Sequence, residues 1–177
     1  MDSQDLRYPV GPFSFPQTIS AAERGAFVGQ IAETPGRLRS AVAGLSDDRL
    51  DTPYRPGGWT VRQVVHHLPD SHLNSYLRFR LALTENEPVI KPYQENLWAE
   101  LPDARTAPIE MSLGLLDHLH ARWVLLLRSL TEQQWKRTFT HPELGQVSLE
   151  NNAALYAWHG RHHVAHIARC RERNGWR

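Results

Sequence analysis

The sequence predicts an all-α fold, a four-helix bundle with one long crossover and an extended N-terminal arm. Three observations predict it. Ser20-Ala21-Ala22-Glu23 and Thr60-Val61-Arg62-Gln63 are capping boxes, in which a side-chain oxygen and a carboxylate or amide satisfy the free N–H groups at a helix start. Leu116, Leu119, Trp123, Leu126 and Leu130 recur at spacings of three and four, the stripe of an amphipathic helix. Residues 85–107, broken by Pro88, Pro92 and Pro102, are too long and too interrupted for a tight turn and read as a crossover.

The elements follow in order. Residues 1–17 hold Tyr8, Phe13, Phe15 and several prolines without periodicity, and read as an extended arm lying on the domain. The first long helix starts after Ser20 and carries Phe27, Ile31, Leu38, Ala41, Val42 and Leu45, with a kink or break expected at Pro35-Gly36. Pro53 through Gly58 is a loop. The second long helix runs from Thr60 to about Leu83 with a bend at Pro69. The crossover holds a short helix around Asn96-Leu97-Trp98, and the Leu116–Leu130 stripe marks the third long helix. A turn at Thr131–Trp135 and a loop to Gln146 lead to Ser148, the N-cap of a last helix that ends before Gly175. All 177 residues are expected to form a single domain.

Composition excludes several classes. Twenty basic and nineteen acidic residues give a formal charge of +1, without the cationic excess that drives nucleic-acid binding. No apolar run reaches the ~20 residues that span a bilayer, and Met1 to Asp5 lack the pattern of a secretion signal, so a cytoplasmic protein is expected. Cys170 is the only cysteine, which rules out an intrachain disulfide and a four-thiolate metal site; it reads as a small buried apolar residue.

Ten histidines remain to be explained. A helix advances about 100° per residue, so each can be placed against the apolar stripe of its own helix. On the second long helix Val61, Val64, Leu68, Phe79 and Ala82 share one face and His67 flanks it, whereas His66 falls on the far side near Arg62 and Arg80. His67 continues through Ser71, Asn74 and Arg78 as a polar strip beside the core, the pattern of a pocket wall. On the last helix His163 lies within the stripe Leu149, Ala153, Tyr156, Val164 and Ile167, with His159 one turn earlier. Two imidazoles at i and i+4 can reach one ion. His67, His159 and His163 are therefore the candidate ligands of one divalent metal ion. His162 and His166 share the spacing but lie towards Trp158 and Arg169, which leaves His166 a place behind the ligands. His72 and His118 are expected to be packed or surface residues without a ligand role, and His120 and His141 to be exposed. Three neutral nitrogens and no carboxylate leave the ion its charge and an open position.

Gly58-Trp59-Thr60-Val61-Arg62-Gln63-Val64-Val65-His66-His67-Leu68, Asp70-Ser71-His72-Leu73-Asn74, Lys91-Pro92-Tyr93, Trp98-Ala99-Glu100-Leu101 and Trp158-His159-Gly160-Arg161-His162-His163-Val164-Ala165-His166-Ile167 together resemble the YfiT branch of the DinB superfamily. Leu6-Arg7-Tyr8-Pro9-Val10-Gly11 is similar to that branch's N-terminal arm. The resemblance implies a DinB-type four-helix bundle, a nickel or zinc ion on His67, His159 and His163, metal-dependent hydrolysis, and a homodimer. Pro69 departs from the branch, where a small residue such as alanine follows His-Leu, and is expected to shift the backbone around Asp70.

Three functions follow from such a site. In a hydrolase the ion activates water for attack on a small-molecule substrate, and Asp70, the carboxylate nearest His67 in sequence, is the candidate general base. In a thiol transferase, as the resemblance to other branches suggests, the ion presents a low-molecular-weight thiol, bacillithiol-like, to an electrophile, with Asn74, Arg78 and Tyr156 orienting the thiol's polar groups. The third is a protein that binds a metal or small molecule without catalysis.

Overall fold

The computed structural model describes residues 5–176; the first four residues of the predicted arm lie outside that range. Four long helices, α1 (Ala21–Val42), α3 (Val61–Thr84), α6 (Ile109–Ser129) and α8 (Leu149–Asn174), form the bundle. Between them stand α2 (Asp47–Leu50), α4 (Glu95–Trp98), α5 (Pro102–Thr106) and α7 (Glu132–Trp135), and the strands β1 (Thr138–His141) and β2 (Gly145–Ser148). α1 packs on α6 and α8, and α3 on the same two helices, which closes the ring.

Both predicted capping boxes are present, Ser20 with Glu23 and Thr60 with Gln63. Ser148 caps α8, and Gly175 ends it in the left-handed conformation (φ 64°) that glycine adopts without steric cost. Pro35 does not break α1, which continues for two further turns. Its ring costs one backbone hydrogen bond, and the carbonyl so released, Ile31 O, bonds instead to His120. The crossover holds two short helices where one was expected. The segment from Thr138 to Ser148, expected as loop, is a hairpin in which Phe139 faces Val147 and both are buried. Strands of four residues offer too few alternations for a period-two signal to stand out.

The buried apolar residues fall into two clusters, one at each end of the bundle. The first gathers Ile31, Phe79, Trp123, Leu127, Phe139, Leu149 and Tyr156 with their neighbours. The second gathers Leu38, Val64, Leu68, Leu113, Leu116 and Ile167. Burying a leucine or phenylalanine stabilises the fold by about 1.5–3 kcal/mol, and these clusters hold the helices in place. Where they meet, α3 contributes His67 and His72, α6 contributes His120, and α8 contributes His159 and His163. At this level α8 and α1 approach closely: a Cβ on Gly160 would come within 2.5 Å of Thr34 Oγ1 and 2.8 Å of Thr34 Cγ2. The absence of a side chain at Gly160 sets how far α8 can lean in, and with it the position of His159 beside it.

Candidate metal centre

α3 and α8 bring the three predicted imidazoles together. His67 Nε2 lies 3.2 Å from His159 Nε2. The ring of His163 has its centroid 4.8 Å from that of His67 and 4.4 Å from that of His159. One nitrogen from each ring lies within 4.8 Å of the others. Two nitrogens bound to one tetrahedral ion at about 2.0–2.1 Å stand roughly 3.3 Å apart, so the first pair already has that span. His163 Nδ1 is buried with no hydrogen-bond partner among the described residues. Burial, reinforced by the charges of neighbouring histidines, pushes His67 down to about 3 and holds His159 and His163 well below the ordinary histidine value. All three are neutral at pH 7 and have a lone pair free to offer. The donor set fits a divalent ion.

A chain of hydrogen bonds sets the tautomer of His159. His120 Nδ1 is 2.7 Å from Ile31 O, the carbonyl that Pro35 leaves without its helical donor. A carbonyl only accepts, so His120 carries its proton on Nδ1 and offers Nε2 as an acceptor. His72 Nδ1 donates to it at 2.8 Å, and His159 Nδ1 in turn donates to His72 Nε2 at 3.1 Å. Burial keeps His72 well below the ordinary histidine value and His120 down at about 4, so neither takes a second proton. The lone pair of His159 is thereby left on Nε2, the nitrogen that faces His67. Ligating histidines are held in this way by a partner on the other ring nitrogen.

Two cavities meet at His159. One, of about 410 Å³, is walled by His67, His159, His162, His163, Trp59 and Trp158 and reaches Arg7 and Tyr8 of the arm. The other, of about 570 Å³, is lined by Ser71, Arg78, Tyr93, His141, Tyr156 and His159. Glu95 and Asn96 of α4 line both. Ser71 Oγ donates to Tyr156 Oη at 3.4 Å and lies 3.5 Å from His159 Nε2.

His162, His163 and His166 form a second group with nitrogens within 4.8 Å. It draws on one helix only, and His166 already donates its Nε2 proton to Arg7 O at 3.2 Å and stacks on Tyr54. The group built across α3 and α8 is the better cage. His166 thus stands behind the site, tying the arm to α8, with Trp158 doing the same through Gly11 O at 3.1 Å.

Other sequence expectations divide. Ser71, Tyr156 and Arg78 line the 570 Å³ cavity, while Asn74 bonds to Asp70 O and borders a neighbouring groove with Leu77 and Trp98. Asp70 lines neither cavity that contains His159; it is half-buried on the side of α3 that faces α5, and burial followed by the charge of Asp103 raises it to about 6. His120 and His141, expected to be exposed, are buried (2% and 8% exposed). His66, expected on the outer face, is buried against α6, bonded to Ser112 Oγ and Ala107 O. His72, expected as a packed or surface residue, is fully buried and is the central link behind His159. His120 had a sequence signal: it sits four residues after Leu116 and three before Trp123, on the apolar stripe of its own helix, where an unpartnered imidazole is costly. Glu95 had none, because the crossover has no periodicity to place it.

The model of the DinB superfamily matches residues 30–167. The chain belongs to that superfamily. A relative from Bacillus subtilis (strain 168), named "Putative metal-dependent hydrolase YfiT", is 51% identical over 177 residues, covering 99% of both chains. A relative from Bacillus mycoides (strain KBAB4), also named as a "Putative metal-dependent hydrolase", is 53% identical over 173 residues, covering 98% of this chain and 99% of its own. A solved structure described as "YfiT from Bacillus subtilis is a probable metal-dependent hydrolase with an unusual four-helix bundle topology" superimposes with a TM-score of 0.95 at 51% identity over 97% of this chain and 99% of that one. This DinB chain therefore sits in the YfiT branch, as its motifs suggested. Among the described residues no helix is long and apolar enough to cross a membrane.

Proposed function

We propose that this protein is a metal-dependent hydrolase of small molecules, with zinc or nickel held by His67, His159 and His163. One observation carries the reading: three neutral imidazoles, unaccompanied by thiolate or carboxylate, converge where two cavities meet, so His67, His159 and His163 would hold an ion with room beside it for water or substrate. When bound, the ion would supply a Lewis acid that polarises a carbonyl and lowers the pKa of water towards neutrality. The names of the relatives point the same way.

The chain's own residues divide the remaining work. Glu95 is the carboxylate that lines both cavities, and burial together with the nearby charge of Glu143 raises its proton affinity; in this reading its carboxylate takes the proton from the attacking water, a role its place in the cavity wall gives it in preference to Asp70. Tyr156 and Ser71 hold hydroxyls beside His159 and orient the polar end of the substrate. His72 and His120 keep the proton of His159 on Nδ1. Trp59 and Trp158 wall off bulk water.

Metal analysis of untagged protein, followed by turnover of ester and amide panels, tests this. Bound metal in about equimolar amount, with thiol-independent hydrolysis abolished in His159→Ala, is the expected result. Turnover that requires both a low-molecular-weight thiol and an electrophile reassigns the same centre to thiol transfer. Absence of both bound metal and turnover overturns the proposal.

A further inference from the structure

Among the described residues three arginines are buried: Arg24 and Arg62 at 5% exposure and Arg78 at 9%. Arg24 is paired with Glu132 and Glu150 and also donates to Ile19 O. Arg62 is paired with Asp47 and Asp51 and donates to Ala107 O. Each thus meets the rule that a buried cation is neutralised and its donors satisfied. Arg78 does not. Among the described residues no carboxylate lies within 4.0 Å of its guanidinium, and no hydrogen bond forms from any of its five N–H groups. The charge is nevertheless felt in its surroundings, since it opposes protonation of His141 and favours ionisation of Tyr156. An arginine cannot shed its proton to escape burial, so the guanidinium presents an unpaired positive charge to the cavity it lines.

We propose that Arg78 is the anchor for a carboxylate on the substrate, bound in the 570 Å³ cavity that also opens on His159. The inference rests on the hydrolase reading for what happens at the far end of the molecule, and names the class of molecule: a small organic acid or acyl amino acid rather than a neutral ester. Arg78 and His67 lie on one face of α3 eleven residues apart, which is three turns and about 16 Å of axis. An arginine side chain leans towards the N-terminus of its helix, so carboxylate and reacting group are separated by on the order of 10 Å. The guanidinium fork matches a carboxylate in two parallel hydrogen bonds. Phosphate fits less well, because Glu95 and Glu143 line the same cavity and repel a dianion more strongly than a monoanion. Tyr93, whose hydroxyl is buried without a partner among the described residues, and Tyr156 stand in the same wall.

Calorimetric titration tests this with three probes, N-benzoylglycine, N-benzoylglycinamide and phenyl phosphate, on metal-loaded and on EDTA-treated protein. The parent is expected to bind the free acid at least tenfold more tightly than its amide in both forms, and Arg78→Met to lose that preference. Unliganded Arg78→Met is expected to melt no lower than the parent, since it removes an unpaired buried charge; a purely structural arginine would lower the melting temperature. Should Arg78→Met not fold, Arg78→Lys decides, with a loss of threefold or more expected because the charge stays and the fork goes. Equal affinity for acid and amide, acid binding that follows the metal and not Arg78, or unchanged binding in the folded variant overturns the assignment. Tighter binding of phenyl phosphate than of N-benzoylglycine overturns the carboxylate in favour of a phosphoryl group. Arg78-dependent acid binding without turnover of any ester leaves this site standing and removes the hydrolase reading alone.

Discussion

The two apolar ends of the bundle and the histidine layer between them are built on opposite rules. At the ends, Leu38, Leu68, Leu113 and Leu116 in one cluster and Phe79, Leu127 and Leu149 in the other are interchangeable in kind: each removes apolar surface from water, and none needs a particular neighbour. In the layer both nitrogens of His72, His120 and His159 meet a particular partner, and the partners are supplied from different helices: α1 gives Ile31 O, α6 gives His120, α3 gives His72 and His67, α8 gives His159. The ends provide stability and the layer consumes some of it in buried polar groups. A layer of this kind survives only because the apolar clusters on either side fix the helices first.

The sharpest test is a pair of substitutions with opposite signatures. Leu38→Ala, in the fully buried end cluster, is expected to lower unfolding stability by about 2–5 kcal/mol while the folded protein keeps its metal affinity. His159→Ala is expected to reduce metal affinity by more than about 100-fold, beyond what loss of a supporting hydrogen bond costs, while the metal-free protein loses only about 1–3 kcal/mol, for the one buried hydrogen bond to His72. Urea unfolding and competition with a chelator read the two quantities separately. If both variants lose both properties, ends and layer are one unit and the division is wrong.

A second test stays inside the layer. His120→Leu removes the link between Ile31 O and His72 without touching His67, His159 or His163, and frees the tautomer of His159. Metal affinity is expected to fall about 10- to 100-fold, and the rate of any hydrolysis to fall with it at subsaturating metal. Pro35→Ala acts one step further out. It restores the N–H that competes with His120 for Ile31 O, so a loss of up to about tenfold is expected, in a variant that regains a helical hydrogen bond and is at least as stable as the parent. A Pro35→Ala protein with unchanged affinity would show that the carbonyl is strong enough to serve both donors.

These two regions also differ in how readable they were. The ends announced themselves through three- and four-residue apolar spacing, and the caps at Ser20, Thr60 and Ser148 placed three of the four long helices to within a residue. His67, His159 and His163 were placed by the same wheel, because they flank stripes that are otherwise apolar. What the wheel of a single helix does not carry is which nitrogen of one helix meets which atom of another. His72, His120 and Ile31 O are joined across three helices, so their linkage was invisible although His120 lay on a legible stripe. Arg78 illustrates the same limit: its place on the polar strip was readable, while its lack of a partner becomes a property only when every neighbouring carboxylate has a position. Glu95 lay in a proline-broken crossover whose path is set by packing against α3 rather than by local pattern.

The smallest effect concerns Asp70, which lies on the same helix as the layer but belongs to neither region. Burial and then Asp103 raise its carboxyl to about 6 in the folded chain, from an ordinary value of 3.8. A carboxyl whose folded value is raised opposes folding when it ionises, so its favourable contribution is complete below pH ~4 and is lost as pH climbs through about 6. Asp70→Asn cannot ionise and escapes that loss. Because Asp70 is partly exposed and water screens its charge, the gain at pH 8 is expected to be about 1 kcal/mol rather than the full value of the shift. Urea midpoints of parent and variant should coincide near pH 4 and separate above pH 6. The histidines of the layer titrate alike in both proteins and cancel from the difference. A constant offset at every pH would mean that the asparagine changed packing or the bond from Asn74 to the backbone at this position, and that Asp70 carries no strained charge. A loss of turnover without change in metal affinity or stability would instead return Asp70 to the general-base role, against its position on the α5 side of α3.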